Sequence, residues 1–219
     1  MRRRRIGSVG RRPICEELTD MGRPPLSSAV MISRSEFQLV LLRRMADYQP
    51  GLVEQARQGL GFTMTEMREA NAWWQRYVRS RSSPRGPERF RALLGPAETE
   101  TDLRTGDLVS RLYHWELPLW PELRFEIVVG PGGQVWQEWL VRAPGAEPPS
   151  APEDQALQPW QYVVGDLERM YPRVRHLPED APTRWHSEYG YDNGHGAVVR
   201  RSARFVYGLL QEVSEPLES

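Results

Sequence analysis

Between residues 108 and 142 the apolar residues fall into a period of two, and this run constrains the fold more than any other. Val109, Tyr113, Trp115 and Leu117 share one face, with Leu108, Leu112, His114 and Glu116 on the other. Leu123, Phe125, Ile127 and Val129 then alternate with Arg124 and Glu126. Val135, Trp139 and Val141 alternate with Trp136, Glu138, Leu140 and Arg142. Branched and aromatic residues at this spacing suit half-buried strands, and Gly130-Pro131-Gly132-Gly133 is a hairpin turn. A three-stranded antiparallel meander is therefore predicted. Trp136 and Leu140 lie on its nominally polar face, so that face is expected to be covered too, by a helix, a ligand or a second copy of the chain. A homodimer through the Trp136/Leu140 face is one such expectation. His114 and Glu116 project from one strand face and have the chemistry of a general base and its orienter, or of two solvated side chains.

The residues ahead of the meander carry a different period. Ser33-Arg34-Ser35-Glu36 and Thr63-Met64-Thr65-Glu66 are capping boxes, in which each side chain satisfies a backbone N–H of the other residue. Helices are predicted over 36–48, 52–58 and 63–80, separated by Pro50-Gly51 and Gly59-Leu60-Gly61. The glycine turn invites a helix-turn-helix reading, but Trp73 and Trp74 are bulky for a groove-reading face. A helical hairpin packed on the sheet is the preferred expectation. Beyond the meander, 143–159 is proline-rich and reads as a linker. Apolar spacing then predicts two more helices. One spans 160–171 and uses Trp160, Val163, Val164, Leu167, Met170 and Tyr171. The other spans 197–213 and uses Val198, Ser202, Phe205, Val206, Leu209 and Val213.

Charge narrows the function. All 29 basic residues are arginine, and the net charge is zero. The balance is uneven: +4 over 1–30, +5 over 31–94, −5 over 95–151 and −4 over 152–219. Such a split points to an anionic partner for the front, or to packing of one half on the other, and the cancelling totals favour packing. Within 75–91, Arg76, Arg79, Arg81, Arg85, Arg89 and Arg91 face one acid, Glu88. Pro84 and Pro87 interrupt any continuous helix there, which predicts a linker carrying guanidinium groups. Such groups neutralise phosphates and release counterions, and Tyr77 and Phe90 nearby are candidates to stack on bases. Nucleic acid is the partner this stretch suggests. The alternative is a solvated helix end whose arginines pair with the acidic back half.

The densest chemistry lies in 183–196, TRWHSEYGYDNGHG. His186, Glu188 and His195 are the candidate catalytic residues, for general acid–base work. Gly194, Gly196, Arg200 and Arg201 are candidates for binding an anion, on the expectation that a helix begins after Gly196 and offers its N-terminal donors. The histidine spacings match no metal-site pattern, so no metal is expected. No cofactor is expected either. The alternative is a strand, a turn and a helix cap with aromatics packed inward.

The first thirty residues lack hydrophobic periodicity and carry no apolar segment after Arg2 to Arg5, which argues against a secretory leader. They read as a disordered basic tail, or as sequence ahead of a true start at Met21 or Met31. The single cysteine, Cys15, permits no intramolecular disulfide and fits a cytoplasmic setting. No apolar run is long enough for a membrane span. The expected fold is α+β: an N-terminal helical layer (31–94) packed on a small three- to four-stranded antiparallel meander (95–142), then the linker and two C-terminal helices (160–219), as one domain over 31–219. A fourth strand, if present, comes from 183–191. The expected function is that of a non-enzymatic binding or regulatory protein that contacts nucleic acid through 76–91. The alternative is an enzyme or small-anion-binding protein using 183–196.

Overall fold

The computed structural model describes residues 32–152, 156–179 and 181–217. The basic tail and Cys15 lie outside them. The chain is α+β, with five helices and two four-stranded antiparallel sheets among the described residues.

Four helices come first: α1 (Arg34–Met45), α2 (Pro50–Gly59), α3 (Met64–Arg79) and α4 (Pro87–Leu94). Both capping boxes form. Ser33 Oγ accepts from Glu36 N (3.3 Å) while Glu36 accepts from Ser33 N (2.6 Å), and Thr63 and Glu66 repeat the exchange. Proline opens α2 and α4, where its missing N–H costs nothing. Phe37 through Leu42 are buried without interruption, so α1 is enclosed on all sides. Gln38 sits inside this run, and its Oε1 accepts from Leu119 N (2.7 Å).

The first sheet is β1 (Thr99–Thr105), β2 (Leu108–Glu116), β3 (Leu123–Val129) and β4 (Val135–Arg142), in that order. The predicted three strands are β2 to β4. A further strand, β1, precedes them, in a stretch for which no strand was predicted. Its residues are all exposed, so no alternation marks it. Between this sheet and the helices lies an aromatic core. Phe37 touches Trp74, Phe90 and Phe125 with ring centroids 5.1 to 6.4 Å apart, and Phe90 also meets Trp115 (6.2 Å). Edge-on and tilted packing of this kind adds to the area buried. In β4 the expected faces are exchanged. Leu140 is 1% exposed and pairs with Phe125 on the core side, while Trp139 pairs with Glu126 on the other face.

A second unit follows: α5 (Val164–Met170), then β5 (Arg173–Leu177), β6 (Arg184–Asp192), β7 (Val198–Val206) and β8 (Leu209–Val213), again in sequential order. The helix predicted over 160–171 shortens to α5. The helix predicted over 197–213 is instead the hairpin of β7 and β8. Its apolar residues satisfy a 3.6-residue period by coincidence, whereas Tyr207 and Gly208, both at positive φ (47° and 71°), turn the chain back on itself. The predicted fourth strand exists as β6, but it belongs to the second sheet. Leu167, Tyr171, Tyr189, Phe205 and Leu210 form the core of this unit.

The two units meet at the β7–β8 turn. Leu140 N donates to Tyr207 O (2.7 Å). A Cβ on Gly208 would lie 2.7 Å from Leu140 O, so only glycine fits there. Trp139 stacks on Trp185 (centroids 5.3 Å). Arg142 and Asp166, almost wholly buried, form an ion pair of 2.6 Å across the same junction.

Candidate nucleic-acid interface

The arginine stretch 76–91 forms a corner between α3 and α4. Trp73 and Trp74 anchor the inner side of α3 in the core, leaving Arg76 and Arg79 exposed on its last turn. The chain then turns through a fixed bend in place of the expected linker. Ser83 Oγ donates to Tyr77 O (2.6 Å). Gly86 has φ of 57°, and a Cβ there would come within 2.4 Å of Gly133 O, so the bend presses directly on the β3–β4 turn. Pro87 starts α4, and Phe90, Leu93 and Leu94 fasten it to the core.

The six arginines divide into two groups. Arg76, Arg79, Arg81 and Arg85 are exposed, and no carboxylate of the described residues lies within ion-pair distance of them. Arg89 is half-buried and donates from Nε to Pro84 O (3.3 Å). Arg91 is fixed by Glu88 and Glu100 and lies 5.1 Å from the centre of the Tyr113 ring. The expected stacking residues are not free. Phe90 is fully buried, and Tyr77 is stacked on Trp73 (4.5 Å). Burial raises the Tyr77 phenol above its ordinary pKa, and its hydroxyl has no hydrogen-bond partner among the described residues.

The stretch 183–196 does not assemble the catalytic set. His186 and Glu188 lie on one face of β6, while His195 sits exposed at the tip of the β6–β7 hairpin. Four strand residues, about 13 Å, separate Glu188 from the start of that turn. His186 Nδ1 is 3.9 Å from Glu179, and its Nε2 is buried without a partner among the described residues. The anion set also comes apart. No helix follows Gly196, so the expected N-terminal donors do not exist. The turn consumes its own N–H groups: Gly194 N donates to Asp192 Oδ1 (2.8 Å), while His195 N and Ala197 N donate to Asn193 Oδ1 (2.9 and 3.3 Å). Arg200 and Arg201, adjacent on β7, point to opposite faces. Arg201 is 8% exposed and donates to Ser214 O (2.8 Å), and Arg200 is exposed.

Trp136 is 42% exposed and its ring covers Gly130, whereas Leu140 is in the core, so the two do not form one exposed patch.

Sequence reasoning missed a polar row across the first sheet. Thr99, His114, Glu126 and Trp139 are successive cross-strand neighbours on β1 to β4. Thr99 Oγ1 bonds His114 Nδ1 (2.8 Å), His114 Nε2 bonds Glu126 Oε2 (2.6 Å), and Trp139 Nε1 donates to Glu126 Oε1 (2.7 Å). His114 thus takes its carboxylate from the neighbouring strand, while Glu116 pairs with Arg124 (2.8 Å). The order hydroxyl, imidazole, carboxylate is that of a nucleophile, its base and an orienter, here laid out on an exposed edge strand.

Among the described residues no group of three or more His, Cys, Asp or Glu side chains is placed to hold a metal ion. No described helix is long and apolar enough to cross a membrane. No protein-family model and no curated protein matches the chain. Among solved structures, similarity extends to the 1.40 Å crystal structure of a Streptococcus mutans protein provisionally described as a beta-lactamase inhibitor protein. The two are 10% identical, with 62% of this chain and 85% of that chain covered, at a TM-score of 0.26. A likeness of that size carries nothing about the role of this chain.

Proposed function

We propose that this is a non-enzymatic binding protein whose α3–α4 corner engages a polyanion, with nucleic acid as the partner. The observation that supports this reading is the set of four exposed guanidinium groups, Arg76, Arg79, Arg81 and Arg85, with no carboxylate of the described residues within ion-pair distance. They project from a braced bend, so little chain entropy is lost when they meet phosphates. Contact with phosphate alone positions a protein without reading sequence, and the corner offers no free aromatic to stack on bases. The binding is therefore weakly selective among sequences.

Filter binding of the full chain to mixed-sequence duplex and single-stranded DNA across a salt series tests the reading. Four phosphate contacts give a slope of log K against log salt of roughly −3.6 on duplex and about −2.8 on single strands. Replacing Arg79 and Arg81 by alanine flattens the duplex slope by about 1.8. Absence of binding at low salt, or a slope unchanged in the double variant, refutes the proposal.

A further inference from the structure

The outer face of the second sheet holds a second concentration of unpaired arginine. In register, Arg173 of β5 and Arg200 of β7 flank Gly190 of β6 from either side. Arg175, two residues along β5, stands opposite Glu188. The absent side chain at Gly190 leaves a notch, and a cavity of about 300 Å³ opens there, lined by Arg173, Arg175, Glu188, Gly190, Val198 and Arg200. None of the three arginines has a carboxylate of the described residues within ion-pair distance, whereas Arg204, further along β7, lies 3.7 Å from Glu212.

Packing does not require glycine at 190. Its φ lies outside the positive range, and a Cβ would make ordinary contacts of 3.5 to 3.7 Å with Val198, Arg173 and Val199. Glycine inside a central strand weakens the strand, and it recurs where another group must approach the backbone closely. Strand spacing puts the Cα atoms of Arg173 and Arg200 about 10 Å apart, close enough for both side chains to reach one group seated over Gly190. Like charges held this close repel one another, and a bound anion relieves the repulsion.

We propose that this notch binds a small phosphomonoester. Three guanidinium groups and Glu188 leave two positive charges, which match the near-dianion of a phosphomonoester at neutral pH. Planar forks suit phosphate oxygens better than a point charge does. Glu188 repels the phosphate itself, so it accepts a hydrogen bond from a hydroxyl or amino group elsewhere on the ligand. Val198, 40% exposed, offers an apolar wall to the ligand's carbon skeleton.

Isothermal titration of the full chain with glucose 6-phosphate, inorganic phosphate and glucose at low ionic strength tests the assignment. Saturable one-to-one binding of glucose 6-phosphate is expected. Arg173→Ala and Arg200→Ala each weaken it roughly tenfold or more, the loss of one charged hydrogen bond. Glu188→Gln weakens glucose 6-phosphate but not inorganic phosphate. Gly190→Val fills the notch and abolishes binding without lowering the melting temperature. Arg79→Ala/Arg81→Ala, on the α3–α4 corner, leaves the affinity unchanged, which separates this site from the proposed polyanion surface. No saturation by roughly 10 mM ligand, or full affinity retained in the Arg173→Ala/Arg200→Ala double variant, overturns the proposal.

Discussion

Asp166 offers the most direct test of how the two units are joined. Its side chain is fully buried and accepts three hydrogen bonds: from Val163 N (2.9 Å), and from Arg142 Nη2 (2.6 Å) and Nε (3.5 Å). Arg142 is itself only 5% exposed, and its remaining contacts are Gln161 O (2.8 Å) and the outlying Glu122 (3.8 Å). Asp166→Ala removes the acceptor and leaves a guanidinium and a backbone N–H in a poorly solvated site. Breaking a buried pair from one side costs about 3–5 kcal/mol, because an uncompensated charge remains. For a chain of this length that lowers the melting temperature by roughly 10 °C. Arg142→Met alone leaves the carboxylate unpaired and costs a similar amount. The double variant Arg142→Met/Asp166→Leu, with no buried charge left, recovers most of the loss. Urea unfolding at neutral pH, followed by tryptophan fluorescence, measures all three. A loss below about 1 kcal/mol for Asp166→Ala, or a double variant that loses the sum of the singles, refutes the assignment of this pair as the joint.

Two further outcomes are expected. Gly208→Ala forces a side chain into a left-handed turn (φ 71°) and against Leu140 O, so it costs at least about 2 kcal/mol in the same unfolding assay; a neutral effect contradicts the tight approach of the turn to β4. Burial raises the Glu138 carboxyl from the ordinary 4.5 to about 7, with Arg89 opposing the shift. The folded chain then holds a proton that the unfolded chain releases between these values. The stabilisation is complete below about 4.5 and lost as pH rises through 7, by about 3 kcal/mol at most. Glu138→Gln removes this dependence, and stability profiles that stay parallel from pH 4 to 8 for the two proteins contradict it.

The parts of the fold visible in the sequence are those where local chemistry and tertiary structure agree. Ser33 with Glu36 and Thr63 with Glu66 mark helix starts because capping is a contact between residues three apart. Gly130 to Gly133 marks a hairpin for the same reason. β1 was illegible because solvent bathes both its faces, which leaves no apolar alternation. β7 was misread because Arg201 points inward, between the buried Ala203 and the aromatic Tyr189 of β6, and masks the period of two. Gly208, in the middle of the expected helix, was the local signal against it. The polar row through His114 was beyond reach, since its partner Glu126 is set by strand register. The grouping expected at 183–196 leaned on the misread helix: a strand follows Gly196, and extended β6 sets His195 at the hairpin tip, away from His186.

A neutral chain is not a neutral surface. The totals of the two halves cancel, which suggested that carboxylates of the rear would quench the arginines of the front. Ion pairs in the described residues are mostly local instead. Arg43 pairs with Asp47 and Arg57 with Glu54 inside their own helices, and Arg111, Arg124 and Arg204 pair with acids on their own sheets. Among the described residues, Arg91 is the one arginine of 31–94 within ion-pair distance of a rear-half carboxylate, Glu100. Beyond about 10 Å, charges exposed to salt solution scarcely sense one another. Among the described residues no carboxylate lies within ion-pair distance of Arg76, Arg79, Arg81 and Arg85, so counterions from solvent gather there. Release of such counterions drives association with a polyanion. The same reasoning holds at Gly190, where a net negative segment still presents a positive notch. Local charge here depends on spacing over a few ångströms, and composition averages that spacing away.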